Sequence, residues 1–131
     1  MSKGLITRYY SAFNAGDAKA MLACVADNVE HRVNEGGIRR GRAKFEAFCG
    51  HMGVSYRENL RDITIFTSDD PNRIAAEFTV HGTYLQTDPG LPEASGQTYV
   101  LPAGSFFDIS DGLIARVTTF YNLKDWLDQV S

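Results

Sequence analysis

Cysteine, proline, tryptophan and histidine are scarce in this chain: two, four, one and three among 131 residues. Two thiols cannot build the multi-bridge framework with which small secreted domains supplement a thin core. Cys24 and Cys49 fall inside apolar helical patterns and read as buried free thiols. His31, His51 and His81 lack the H-x-x-x-H spacing that sets two ligands on one helix face, so no metal is expected. Gly36-Gly37 reads as a turn without the lysine or strand-to-helix context of a phosphate cradle, and no cofactor is expected. Positive charge is also short. Thirteen Lys and Arg face sixteen Asp and Glu, giving a net charge of −3 and a pI near 5.5. That excludes nucleic acid as the main partner, because phosphate binding needs a positive field. No apolar run approaches the roughly 20 residues of a membrane span. Met1-Ser2-Lys3-Gly4 leads into only a brief apolar run, and no N-x-S/T sequon occurs. Neither a signal peptide nor a membrane partner is therefore expected, and a cytoplasmic location is the default.

What is present is a globular composition, 44% hydrophobic and 22% charged, long enough for one domain over 1–131. The strongest signal is Gln97–Asn122, which reads strand, turn, strand. Ser110-Asp111-Gly112 supplies the turn, since glycine accepts the positive φ of short hairpins. Upstream, Leu5, Ile6, Tyr9, Ala12 and Phe13 recur at helical spacing. Gly16 suits a left-handed cap, and Asp17 can start a second helix containing Met21, Leu22 and Val25. Ala26-Asp27-Asn28 reads as a turn and Val29–Val33 as a strand. A third helix follows Gly41, with Phe45, Phe48, Cys49 and Met52 on one face. Leu60–Thr67 and Arg73–Leu85 read as strands. In the second, Ile74, Ala76, Phe78 and Val80 alternate with Glu77, Thr79 and His81. Leu123–Val130 closes as a helix capped by Asn122. Helices first and a strand meander after them predict an α+β fold.

Four stretches resemble one family: Arg8–Asp17 (RYYSAFNAGD), Ala26–Val29, Arg40-Gly41-Arg42 before a helix, and Asp111–Val117 (DGLIARV). Together they resemble the nuclear transport factor 2-like superfamily, which includes ketosteroid isomerase and SnoaL-like polyketide cyclases. Thr83–Pro92 and Tyr121–Trp126 are similar to its ketosteroid isomerase-related branch. The resemblance implies a cone-shaped, curved antiparallel sheet with N-terminal helices packed over its concave face, a cystatin-like roll. It also implies an apolar pocket for a small molecule, and a homodimer through the convex face.

Ketosteroid isomerase uses a tyrosine, a carboxylate base and a protonated acid. By resemblance Tyr9 matches the tyrosine. The base position falls at Arg32 or Val33 and the acid at Gly104, so ketosteroid isomerisation itself is not expected. Arg32 in a pocket would favour a carboxylate or enolate through paired hydrogen bonds, with Tyr9 donating to the same oxygen. The other reading of Arg32 points it to solvent, with Tyr9 only filling space. Phe13, and His31 at the pocket mouth, join the expected binding residues. Strand alternation adds Phe78 and Val80. The family alignment adds Gly104, Phe106, Thr119 and Tyr121. The expected function is binding of a small apolar molecule with a carbonyl or acidic end, with isomerase- or hydratase-like chemistry open. The alternative is a non-enzymatic module that binds a protein through its exposed sheet face.

Overall fold

The structure is a computed structural model describing residues 2–131; Met1, the first residue of the lead-in read above, lies outside them. Helix α1 spans Ser2–Ala15 and turns Leu5, Ile6, Tyr9, Tyr10 and Ala12 into the core. Gly16 ends it in the left-handed region at φ 68°. The Asp17 carboxylate then accepts from the Ala20 amide at 3.0 Å, capping α2, Ala18–Leu22. Strand β1 (Val25–Val33), the short β2 (Arg39–Arg40) and helix α3 (Arg42–Ser55) follow. Four strands come next: β3 (Tyr56–Thr67), β4 (Arg73–Tyr84), β5 (Thr98–Ser110) and β6 (Leu113–Tyr121). Helix α4, Leu123–Val130, closes the chain, and the Asn122 side chain caps it by accepting from the Asp125 amide at 3.1 Å.

The six strands form one sheet in the order β2-β1-β6-β5-β4-β3. It is mixed rather than wholly antiparallel, because β1 runs parallel to β6. The reason is connection length. β1 meets β6 only after α3 and four further strands, and a long crossover permits the parallel arrangement that a hairpin forbids. Strand β2 escaped the sequence reading because two residues carry no periodicity. The expected turn Ala26-Asp27-Asn28 lies inside β1, where the register with β6 shifts between Val25 and Glu30. Further register shifts interrupt β3 between Arg61 and Thr64, and β6 at Ala115, opposite Asp108 and Ile109. Asp62, at φ 56°, sits in the first of these. Such bulges bend the bulged strand and raise its twist, and the sheet curves around the helices.

The inner face is set by cross-strand pairs. Ile74, Ala76, Phe78, Val80, Gly82 and Tyr84 of β4 are all buried. Opposite them on β5 stand Phe107, Ser105, Ala103, Leu101 and Tyr99. This corrects one expectation. Gly104 and Phe106 face outward, and Phe106 is 48% exposed. β5 alternates without interruption through Pro102, and Gly104 pairs with the outward-facing Glu77 and Phe120. A one-residue shift in assigned phase moves a whole strand to the other face. On β6, Val117 and Thr119 lie opposite Phe107 and Ser105, and Tyr121 lies opposite Ala103. Asn14 ties α1 to the sheet by a pair of bonds to the Leu60 amide and carbonyl, at 2.8 and 2.9 Å.

Candidate functional site

On β3, Tyr56, Glu58 and Leu60 stand opposite Tyr84, Gly82 and Val80, so a glutamate occupies the inner face. The Tyr99 phenol crosses Gly82 and donates to Glu58 Oε2 at 2.5 Å. Only glycine admits this crossing, since a Cβ on Gly82 would lie 2.2 Å from Tyr99 Cζ. Trp126 of α4 meets the Tyr99 and Tyr84 rings edge-on, at 6.0 and 5.2 Å between centroids. Burial pushes the Glu58 carboxyl above the usual glutamate range, and the bond from Tyr99 opposes part of that rise. Tyr99 itself is pushed up by burial and then by the Glu58 charge. Tyr121 is also raised by burial first and the Glu58 charge second, which places its phenol within the field of the carboxylate.

A second network ties the rim together. Tyr56 donates to Asp88 Oδ2 at 2.7 Å, and His51 Nε2 lies 3.1 Å from the same oxygen. The Asp88 amide donates to the Tyr84 hydroxyl at 2.9 Å, and that hydroxyl donates to the Pro92 carbonyl at 2.6 Å. The irregular segment between β4 and β5 is thereby anchored to α3 and β3. Deeper inside, Ser105 and Thr119 share a hydroxyl hydrogen bond of 2.7 Å. The Tyr10 phenol is buried beside Ser105 and has no aligned partner among the described residues.

The residues expected from sequence fall in different places. Tyr9 is 6% exposed and packs edge-on against Tyr10 and Phe107, at 5.4 and 5.9 Å. Burial raises its phenol, with Tyr10, Cys49 and Cys24 contributing. Arg32 is exposed, and its Nε donates to the Gly36 carbonyl at 2.8 Å. Tyr9 and Arg32 are therefore not brought together, and the solvent-pointing reading of Arg32 describes its position. Phe78, Val80, Thr119 and Tyr121 stand on the inner face, and Phe13 is half-buried on α1. His31 is 4% exposed between the Phe45 and Phe48 rings, at 5.2 and 4.5 Å. The Arg39 guanidinium lies 4.5 Å over the same Phe48 ring. Burial, then Arg39, lowers the His31 pKa to about 4, so the ring is neutral at pH 7.

Glu58, Tyr99, Ser105 and Tyr10 were missed by sequence reasoning. Their signal was a charged residue in phase with Leu60, facing a glycine in an otherwise apolar strand phase. Among the described residues, no three His, Cys, Asp or Glu side chains converge on a metal-sized site. No described helix is long and apolar enough to cross a membrane.

A curved, unclosed sheet roofed by helices is the nuclear transport factor 2-like cone. The chain belongs to the SnoaL-like domain family, whose model matches residues 6–117. Solved structures agree. A proposed polyketide cyclase of Silicibacter sp. TM1040 is 61% identical over 99% of this chain and 95% of that one, with a TM-score of 0.97. Another, from Xanthomonas campestris pv. campestris, is 54% identical over 99% and 96%, with a TM-score of 0.95. A third, from Pseudomonas putida KT2440, is 53% identical over 100% and 98%, with a TM-score of 0.98. Among curated proteins, none matches the chain.

The buried imidazole has a consequence for acid stability. The unfolded chain protonates His31 near pH 6.5, whereas the folded chain resists until about pH 4. Its contribution is full above the unfolded value and is lost as pH falls through that window. Denaturant melts of His31→Leu should therefore show a flatter acid limb, by up to about 3 kcal/mol between the two ends. Parallel pH profiles for the wild type and the variant would contradict this.

Proposed function

We propose that the chain binds a small, mostly apolar carbonyl compound in its cone and that Glu58 moves a proton on it. The observation that carries this reading is the Glu58–Tyr99 hydrogen bond on the inner face of the sheet. Structural cores seldom hold a carboxylate away from any cation, because an unpaired buried charge is costly. A raised pKa makes the ionised form a stronger base at neutral pH. Glu58, Tyr121 and Thr119 point inward yet are only half-buried, which supports a cleft reaching them from the rim.

In this reading a Glu58 oxygen takes the proton from the carbon beside the carbonyl, leaving an enolate. A phenol of the inner face, Tyr121, donates a hydrogen bond to the enolate oxygen. Returning the proton to a neighbouring carbon gives an isomerisation. Attack of the enolate on a second carbonyl, whose oxygen takes the proton back from Glu58 as its π bond breaks, gives the ring closure that the Silicibacter relative's proposed activity names. Both outcomes share the first step.

That step can be followed as deuterium uptake by 2-tetralone in heavy water. Glu58→Gln should slow protein-catalysed exchange by about a hundredfold or more. The wild-type rate should rise with pH through a midpoint above the ordinary glutamate range. Equal exchange by wild type and Glu58→Gln would overturn the assignment.

We also propose a homodimer through the outer face. An apolar groove of about 480 Å³ crosses it, with Phe66, Pro102, Phe106 and Phe120 in its walls. Exposed aromatic groups of this kind mark interaction surfaces more often than free ones. Light scattering should find a dimer for the wild type and a monomer for Phe106→Glu. A monomeric wild type would overturn the dimer and favour a different protein partner on that face.

A further inference from the structure

Strand β4 carries an outward row that the proton transfer leaves without a role. Arg73, Ala75 and Glu77 alternate with the buried Ile74, Ala76 and Phe78, so all three face away from the helices. Ala75 pairs with Phe66 on β3 and with Phe106 on β5. Those two rings are 49% and 48% exposed, and they flank the alanine in the outer groove. Arg73 and Glu77 lie two residues to either side of Ala75, about 7 Å along the strand in each direction.

Neither charge is fully used within one copy. The two are about 14 Å apart along the strand, too far to meet. Glu77 is the one charged group in the groove wall and makes no ion pair among the described residues. Its cross-strand neighbours are Thr64 and Gly104. Arg61, opposite Thr79 on β3, donates to Asn59 instead, at 3.1 Å. Arg73 reaches Asp108 through Nε, at 3.2 Å, and stays largely exposed. Arg116 holds the same carboxylate with two bonds, at 2.7 and 3.3 Å, so Asp108 does not depend on Arg73. A carboxylate covered without a counter-charge is costly. Whatever covers this groove must therefore bring a cation to Glu77.

The outer face of this chain supplies that cation when it is turned onto itself. Across a two-fold axis every contact is reciprocal. We propose that paired Arg73–Glu77 ion bridges, formed across a two-fold axis that crosses β4 at Ala75, select a second copy of this chain as the occupant of the outer face. Such an axis turns Glu77 onto the partner's Arg73 and Arg73 onto the partner's Glu77. It also sets Phe66 and Phe106 against their own copies, with only a methyl group between them to hold the two β4 strands apart. Packed sheets lie about 10 Å from each other, a gap that an arginine and a glutamate side chain span together. The inference rests on the outer face being the dimer interface and adds which residues recognise the partner.

The test is a charge-reversal exchange read by light scattering and native mass spectrometry. Arg73→Glu leaves two acids at these positions, and Glu77→Arg leaves two bases. Each variant alone should be monomeric, its dimer dissociation constant raised about a hundredfold or more. Mixed in equal amounts they should form a heterodimer, because every acid then faces a base, and that heterodimer also reports that both are folded. The double variant Arg73→Glu/Glu77→Arg should regain the homodimer. Should a reversal unfold the chain, Arg73→Gln and Glu77→Gln take its place: each should weaken the dimer about tenfold, and the two together by less than the product. Single reversals that remain dimeric, a mixture of folded monomers that yields no heterodimer, or neutral variants whose losses multiply would overturn the ion bridges and leave a dimer held by other contacts. A monomeric wild type overturns the dimer and the bridges together.

Discussion

A carboxylate and a phenol meet across a strand that has no side chain at the meeting point. The Tyr99–Glu58 hydrogen bond needs Gly82 between them, and it needs β3, β4 and β5 in this register. Shift β5 by one residue and Tyr99 leaves the inner face, taking the only described hydrogen-bond donor to that carboxylate with it. Beside this pair Trp126 packs edge-on against the Tyr99 and Tyr84 rings, and burial raises the carboxyl pKa. A charged group in a shielded position is unfavourable for stability alone. Its presence is the physical reason to assign it chemistry.

The remaining architecture holds that pair in place on the inner face of the sheet. Register shifts in β1, β3 and β6 curve the sheet. Asn14 fixes α1 over Leu60, next but one to Glu58. The Tyr56–Asp88–His51 network holds the long β4–β5 connection against the rim. Elsewhere on the same face Ser105 and Thr119 share a hydroxyl hydrogen bond across β5 and β6. The outer face follows the opposite logic, with its aromatic side chains gathered into a groove free of buried charge.

The fold was largely legible because its signals are local. The Asp111-Gly112 turn adopts positive φ at both residues, 52° and 77°, as a tight hairpin requires. The apolar stripe of α1, the alternation of β4 and the Asp17 and Asn122 caps are likewise written in neighbouring residues. The parallel contact of β1 with β6 is not local, and nothing in either strand announces it. The site was hidden for related reasons. Tyr56-Arg57-Glu58-Asn59 is too polar to read as a strand, so Glu58 had no face until β4 supplied one. The family alignment put Gly104 and Phe106 on the inner face of β5, whereas the register with β4 puts Ser105 there and turns Phe106 outward. Tyr9 and Tyr10 are adjacent on a helix and point about 100° apart. The family pattern singled out the first, whereas the second lies beside Ser105.

The central claim is that Glu58 is an interior carboxylate tuned by its surroundings and by Tyr99. It is tested most directly by carbon-13 NMR titration of the Glu58 side-chain carboxyl in wild type and Tyr99→Phe. The account expects a wild-type midpoint above that of an ordinary glutamate. It expects a further rise in Tyr99→Phe, because the lost hydrogen bond favours the ionised form. A midpoint in the ordinary range that Tyr99→Phe leaves unmoved would contradict it.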